Sequence, residues 1–100
     1  MSTDLDAQAH IRVKLVNKRG LHARASHKFI ACAEQFNAHI KVTSHNDVCA
    51  ETVVADSVME LLLLGSAYGE DITISAIGED AKAAISALSN LVRIKFGESE

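Results

Sequence analysis

From His10 to Asn17 apolar and polar side chains alternate, with Ile11, Val13 and Leu15 on one side and Arg12 and Lys14 on the other. A period of two predicts a half-buried strand. Lys18-Arg19-Gly20 breaks it. From Ala23 to Phe36 the period lengthens: Ala25, Phe29, Cys32, Ala33 and Phe36 recur at helical spacing. Asn37 is a residue that can take the left-handed conformation ending a helix. Alternation returns from Ala38 to Thr43, with Ile40 and Val42 inward, and Ser44-His45-Asn46-Asp47 has the composition of a turn. Cys49 to Val54 is predicted as a third strand. Asp56-Ser57 then opens a short helix that ends at Gly65. A fourth strand spans Asp71 to Ile77, with Ile72, Ile74 and Ala76 on one face. Gly78-Glu79-Asp80 leads into a last helix, striped by Ala81, Ala84, Ile85, Leu88, Leu91 and Val92. Arg93 and Lys95 are placed in its last turn, where cations suit the helix dipole, and Gly97 stops it.

The order strand, helix, strand, strand, helix, strand, helix predicts an α+β chain. One four-stranded sheet should carry the three helices on one face and leave the other partly open to water. Residues 1–8 are expected to form a flexible N-terminus, and 9–97 a single domain.

Composition narrows the function. Hydrophobic residues make up 48% of the 100-residue chain but aromatics only 4%, enough for one core of Ile, Val, Leu and Ala. A chain of this size has no room for a deep substrate cavity between domains, so its chemistry is expected at the surface, with other proteins as partners. The net charge of −3, from 10 basic against 13 acidic residues, lacks the basic excess of a nucleic-acid binder. Signs are mixed along the chain, and the longest apolar run, around Leu61 to Leu64, is too short to cross a bilayer. Cys32 and Cys49 form no CxxC pair, and His10, His27, His39 and His45 have no metal-ligand spacing, so no metal or cofactor is expected. Free thiols and an acidic start without an apolar stretch fit a cytoplasmic protein without a signal peptide.

Chemistry concentrates in Gly20-Leu21-His22-Ala23-Arg24, where a strand gives way to a helix. The first turn of a helix leaves N–H groups unpaired and carries partial positive charge, which suits an anion. His22 falls at or just before the first helical residue, a place where Ser, Thr, Asp or Asn would serve stability better. The dipole disfavours its protonated form, leaving a neutral ring with a nucleophilic nitrogen. Arg24 brings a planar guanidinium suited to phosphate oxygens. The same residues also fit an exposed loop histidine beside a solvated arginine.

The segment Asn17-Lys18-Arg19-Gly20-Leu21-His22-Ala23-Arg24-Ala25-Ser26 resembles the active-site segment of the HPr family, the histidine-containing phosphocarriers of the bacterial phosphotransferase system. The likeness continues through Phe29, Phe36, Ser57 and Gly65 to the final helix, covering His10 to Phe96. It implies an open-faced β-sandwich with an antiparallel sheet. It further implies that His22 accepts a phosphoryl group through Nδ1 from enzyme I and passes it to the A component of an enzyme II, with Arg24 as the active-site arginine. Such a protein is a covalent carrier in a relay rather than a stand-alone enzyme, and a monomer is expected. Where the family usually has proline after that arginine, this chain has Ala25, which keeps the helix and adds an N–H donor.

Ser57-Val58-Met59-Glu60 fits a capping box, with Ser57 accepting from the third helical N–H and Glu60 reaching back. By resemblance Ser57 is also the family's regulatory serine, the target of an HPr kinase/phosphorylase. The helix after it is apolar nearly all round, so part of it should form an exposed partner patch. Val58, Met59 and Leu62, with Ala23 of the active-site helix, are the expected docking residues. The same motif and the leucine-rich helix look equally like the family's nitrogen-related regulatory branch, whose members control other proteins. A metal-chaperone domain of similar element order would need a soft-ligand pair in the first loop, where this chain has His22 and Arg24.

Overall fold

Alternation and helical stripes meet in one sheet with its helices on a single side. The computed structural model describes residues 8–45 and 51–99. Its elements are β1 (Gln8–Lys14), α1 (Ala23–Ala33), β2 (His39–Ser44), β3 (Thr52–Val54), α2 (Val58–Leu64), β4 (Asp71–Ile77) and α3 (Ala81–Arg93), followed by a tight turn over Lys95–Gly97. All strand pairs are antiparallel, in the spatial order β1-β4-β2-β3. The predicted element order and architecture are those observed.

Register follows from the apolar rows. Ile11, Ile74, Val42 and Val53 line up across the four strands, and Val13 and Ile72 make a neighbouring row. Against this face pack Phe29 and Ile30 of α1, Leu61 and Leu64 of α2, and Ala84, Leu88 and Val92 of α3. Burying a Leu or Phe side chain stabilises by roughly 1.5–3 kcal/mol, so these few positions hold the helices down. The opposite face carries His10, Arg12, Lys14 and Lys41, all exposed. There Arg12 and Lys14 reach Asp71 at 2.8 and 3.2 Å. Their hydrogen bonds hold the Asp71 carboxyl below its usual range.

Several boundaries differ from the periodicity. β1 runs Gln8–Lys14 rather than His10 to Asn17: the ladder to β4 ends at Lys14↔Asp71, and Leu15 instead bonds the loop backbone of Gly69 and Glu70. Asn17 turns fully inside. α1 stops at Ala33, capped by Glu34 in right-handed geometry. Asn37 takes no left-handed conformation. Instead its N–H donates to the Asp80 carboxylate and its carbonyl accepts from the Asp80 N–H, so tertiary contact replaces a local cap. α3 ends at Arg93, leaving Lys95 in the turn beyond. β3 begins at Thr52; Cys49 and the turn residues Asn46-Asp47 lie outside the described residues, as do residues 1–7 of the expected flexible end. Among the described residues no helix is long and apolar enough to cross a membrane.

Candidate functional site

The segment before α1 is anchored at both of its ends. Leu21 is buried, its N–H donates to the Ser66 carbonyl at 3.1 Å, and its carbonyl accepts from the buried Ser26 hydroxyl. Gly20 makes this possible. Its φ is +63°, and a Cβ there would lie 2.6 Å from the Ser66 carbonyl oxygen. The glycine therefore serves close backbone packing beneath the site rather than open access from outside it. Asn17 closes the loop, exchanging bonds with Gly20: its Nδ2 donates to the Gly20 carbonyl at 2.8 Å and its carbonyl accepts from Gly20 N–H.

Held this way, His22 is the N-cap of α1, with extended backbone and its carbonyl accepting from Ser26 N–H at 2.8 Å. Its Nδ1 accepts from the Arg24 N–H at 3.2 Å. An N–H only donates, so Nδ1 carries a lone pair and the ring proton sits on Nε2. Arg24 and Ala23 are exposed, while Ala25 is fully buried as the third residue of α1, which starts regularly without the usual proline.

The Nε2 nitrogen faces Glu98. It donates to Glu98 Oε2 at 2.5 Å, while Asn17 Nδ2 donates to Oε1 at 3.1 Å. Burial pushes the Glu98 carboxyl up, but the bonds from His22 and Asn17, aided by the Lys28 charge, outweigh it and leave it below its usual range. The chain reaches this position through an unusual turn. Lys95 and Phe96 both have left-handed φ, at 61° and 55°, followed by Gly97 at 78°. Left-handed non-glycine residues are strained by about 1–2 kcal/mol each. The buried Phe96 ring and a 2.7 Å bond from Lys28 Nζ to the Phe96 carbonyl hold the turn in place. Lys18, Arg19, His22, Arg24, Glu98 and Ser99 together line an open depression of about 380 Å³.

The sequence motif gives neither Asn17 nor Glu98 a role beside His22. Glu98 lies 76 positions from His22, and no local period or spacing connects them. A carboxyl whose folded pKa is lowered holds fewer protons than in the unfolded chain, so its stabilisation is complete above the unfolded value and is lost as pH falls. Between about pH 5 and pH 3, the wild type is therefore expected to lose more stability than Glu98→Gln, measured by urea unfolding. Equal slopes would show that the contact contributes nothing to folding.

At α2, Ser57 is the N-cap by backbone geometry, but its side chain makes no capping hydrogen bond, so the predicted capping box does not form. Burial of Leu61 and Leu64 and the left-handed Gly65 cap secure this short helix instead. The exposed apolar patch is present with a different membership. Met59 and Leu63 are 65% and 68% exposed and Leu62 37%, whereas Val58 packs against the core. Leu63 was overlooked because an apolar helix gives no stripe from which to read its buried face. No group of three or more His, Cys, Asp or Glu that could hold a metal ion occurs among the described residues.

A family described as "PTS HPr component phosphorylation site" matches residues 9–93. The chain is 39% identical over 88 residues to the phosphocarrier protein HPr of Neisseria meningitidis, covering 88% of this chain and 94% of the relative. It is equally 39% identical over 88 residues to the phosphocarrier protein NPr of Shewanella violacea, covering 88% and 92%. Among solved structures, HPr from Thermoanaerobacter tengcongensis superposes with a TM-score of 0.82 at 36% identity, over 92% of this chain and 99% of that one.

Proposed function

The chain belongs to the HPr family of phosphocarriers of the phosphotransferase system, and on that premise we propose that His22 is the residue that takes and gives up the phosphoryl group. The observation that carries the proposal is the orientation of the ring: Nδ1 presents a lone pair at the N-terminus of α1, at the edge of a depression lined by Lys18, Arg19 and Arg24. Nδ1 attacks phosphorus, and the transferred oxygens land at the positive end of the α1 dipole beside cations. The Arg24 N–H that now meets Nδ1 is placed to meet a phosphoryl oxygen. Enzyme I is the donor and the A component of an enzyme II the receiver, in the cytoplasm. The exposed Met59, Leu62 and Leu63 supply an apolar docking face.

The test is intact-mass spectrometry under non-acidic conditions after mixing the chain with enzyme I and phosphoenolpyruvate. One phosphoryl group that disappears in acid is expected. No mass change with a competent enzyme I sinks the carrier role. Relatives named HPr and NPr match at the same identity, so transfer onward is assayed with A components of both the sugar and the nitrogen-related branches. Arg24→Ala should keep the fold, since the side chain is exposed, and slow transfer about ten- to a hundredfold, the worth of one charged hydrogen bond. Normal transfer in that variant removes Arg24 from the mechanism.

A further inference from the structure

We infer that Glu98 is a positioning residue for phosphoryl acceptance, holding the His22 proton on Nε2 so that Nδ1 keeps its lone pair as the nucleophile. The inference rests on His22 being the acceptor and adds a residue that the family assignment and the sequence motif leave without a role.

Three observations carry it. Both ring nitrogens are committed, Nδ1 as acceptor from the Arg24 N–H and Nε2 as donor to Glu98 Oε2. The carboxylate is itself held, because its other oxygen accepts from Asn17 Nδ2, and Asn17 is fully buried and bonded to Gly20 in the loop that carries His22. The strained turn Lys95–Gly97, pinned by buried Phe96 and Lys28, exists in a form that delivers Glu98 to the ring. Orienting and tautomer-fixing a histidine through its far nitrogen is an established physical device.

The step balances as follows. The Nδ1 lone pair forms the P–N bond as the bond from phosphorus to the donor breaks, and that electron pair stays with the donor. The ring gains positive charge and Nε2 keeps its proton. The Glu98 carboxylate faces that proton and stabilises the charge as it develops. On return transfer the same carboxylate keeps the ring oriented while the P–N bond breaks.

The experiment uses the full chain with ¹⁵N-labelled histidine. In the wild type, the nitrogen spectrum of neutral His22 should show a single tautomer with Nε2–H, protected from exchange with water. In Glu98→Ala, that protection is lost and the two tautomers mix. In Glu98→Gln, the side-chain carbonyl can still accept from Nε2–H, so the tautomer is kept while the charge is gone. Rapid-quench phosphorylation by phosphorylated enzyme I should then show a saturating rate about tenfold lower for Glu98→Ala, with an unchanged half-saturation concentration, and an intermediate rate for Glu98→Gln. An unchanged spectrum, an unchanged rate, or a faster rate in Glu98→Ala overturns the inference. A wild type that takes no phosphoryl group overturns the carrier proposal and this inference with it, whereas a competent wild type with an indifferent Glu98→Ala overturns this inference alone.

Discussion

Changing His22 to asparagine is expected to stop phosphoryl acceptance outright and to leave α1 standing. His22 caps that helix through a side-chain nitrogen that accepts the Arg24 N–H. Asparagine is among the best N-cap residues and offers a carbonyl oxygen to the same N–H, but it has no nucleophilic nitrogen. Alanine removes both functions, so His22→Ala should also be inactive and less stable than His22→Asn by about 1 kcal/mol. Intact-mass measurement reads the first effect and urea unfolding the second. The pair separates chemistry from structure. An asparagine variant that still gains an acid-labile phosphoryl group would move the acceptor to another histidine, and none of His10, His27 or His39, all exposed, has a partner arrangement comparable to that of His22.

Gly20→Ala should be among the most damaging single-methyl changes in the chain. Its φ of +63° strains an L residue by about 1–2 kcal/mol. The new Cβ would also meet the Ser66 carbonyl oxygen at 2.6 Å and Ala67 Cα at 2.8 Å, and both are backbone atoms that no side-chain rotation can clear. Relief requires the Leu21-to-Ser66 hydrogen bond to open, which leaves buried polar groups unpaired at about 1–3 kcal/mol. The expected loss is about 2–5 kcal/mol, a large share of a small domain's stability. Gly65 is the control. Its φ of +62° is nearly the same, but nothing lies within 4 Å of its Cβ, so Gly65→Ala should show only the backbone strain of about 1–2 kcal/mol. Thermal or urea denaturation of the two variants measures the difference. Equal losses would mean that the loop under His22 yields easily and that its packing does not set the ring's position.

What the sequence revealed was whatever has a local period or a local chemical reason. β4 falls where alternation places it, and α2 ends where the left-handed Gly65 stops it, because both signals act within a few residues. The histidine at a helix start was legible for the same reason. Boundaries failed where a distant contact overrode a local preference. Asn37 is tied to Asp80 and takes no left-handed cap, and Asn17 is drawn inside to hold Gly20 and Glu98. Ser57 has the composition of a capping box and the backbone of a cap without the side-chain bond, since burial of Leu61 and Leu64 already holds α2. Glu98 was invisible for the plainest reason. A glutamate after a glycine carries no mark of the ring it will meet, and only the turn through two left-handed residues brings it there.

The strand order carries a kinetic consequence. The central strand β4 separates β1 from β2, so β1 has no neighbour in the sheet until β4 arrives, and the Arg12–Asp71 pair beside that junction spans 59 residues. The β2–β3 hairpin can form locally, but it holds only a three-residue strand and buries little by itself. Closing the long loop loses chain entropy before any apolar row is completed, which places the barrier at the docking of β1 onto β4. Folding of this chain should therefore be paced by one long-range encounter. Substitutions at Ile11 or Ile74, which meet across that junction, should slow refolding, whereas changes within β3 should mainly hasten unfolding.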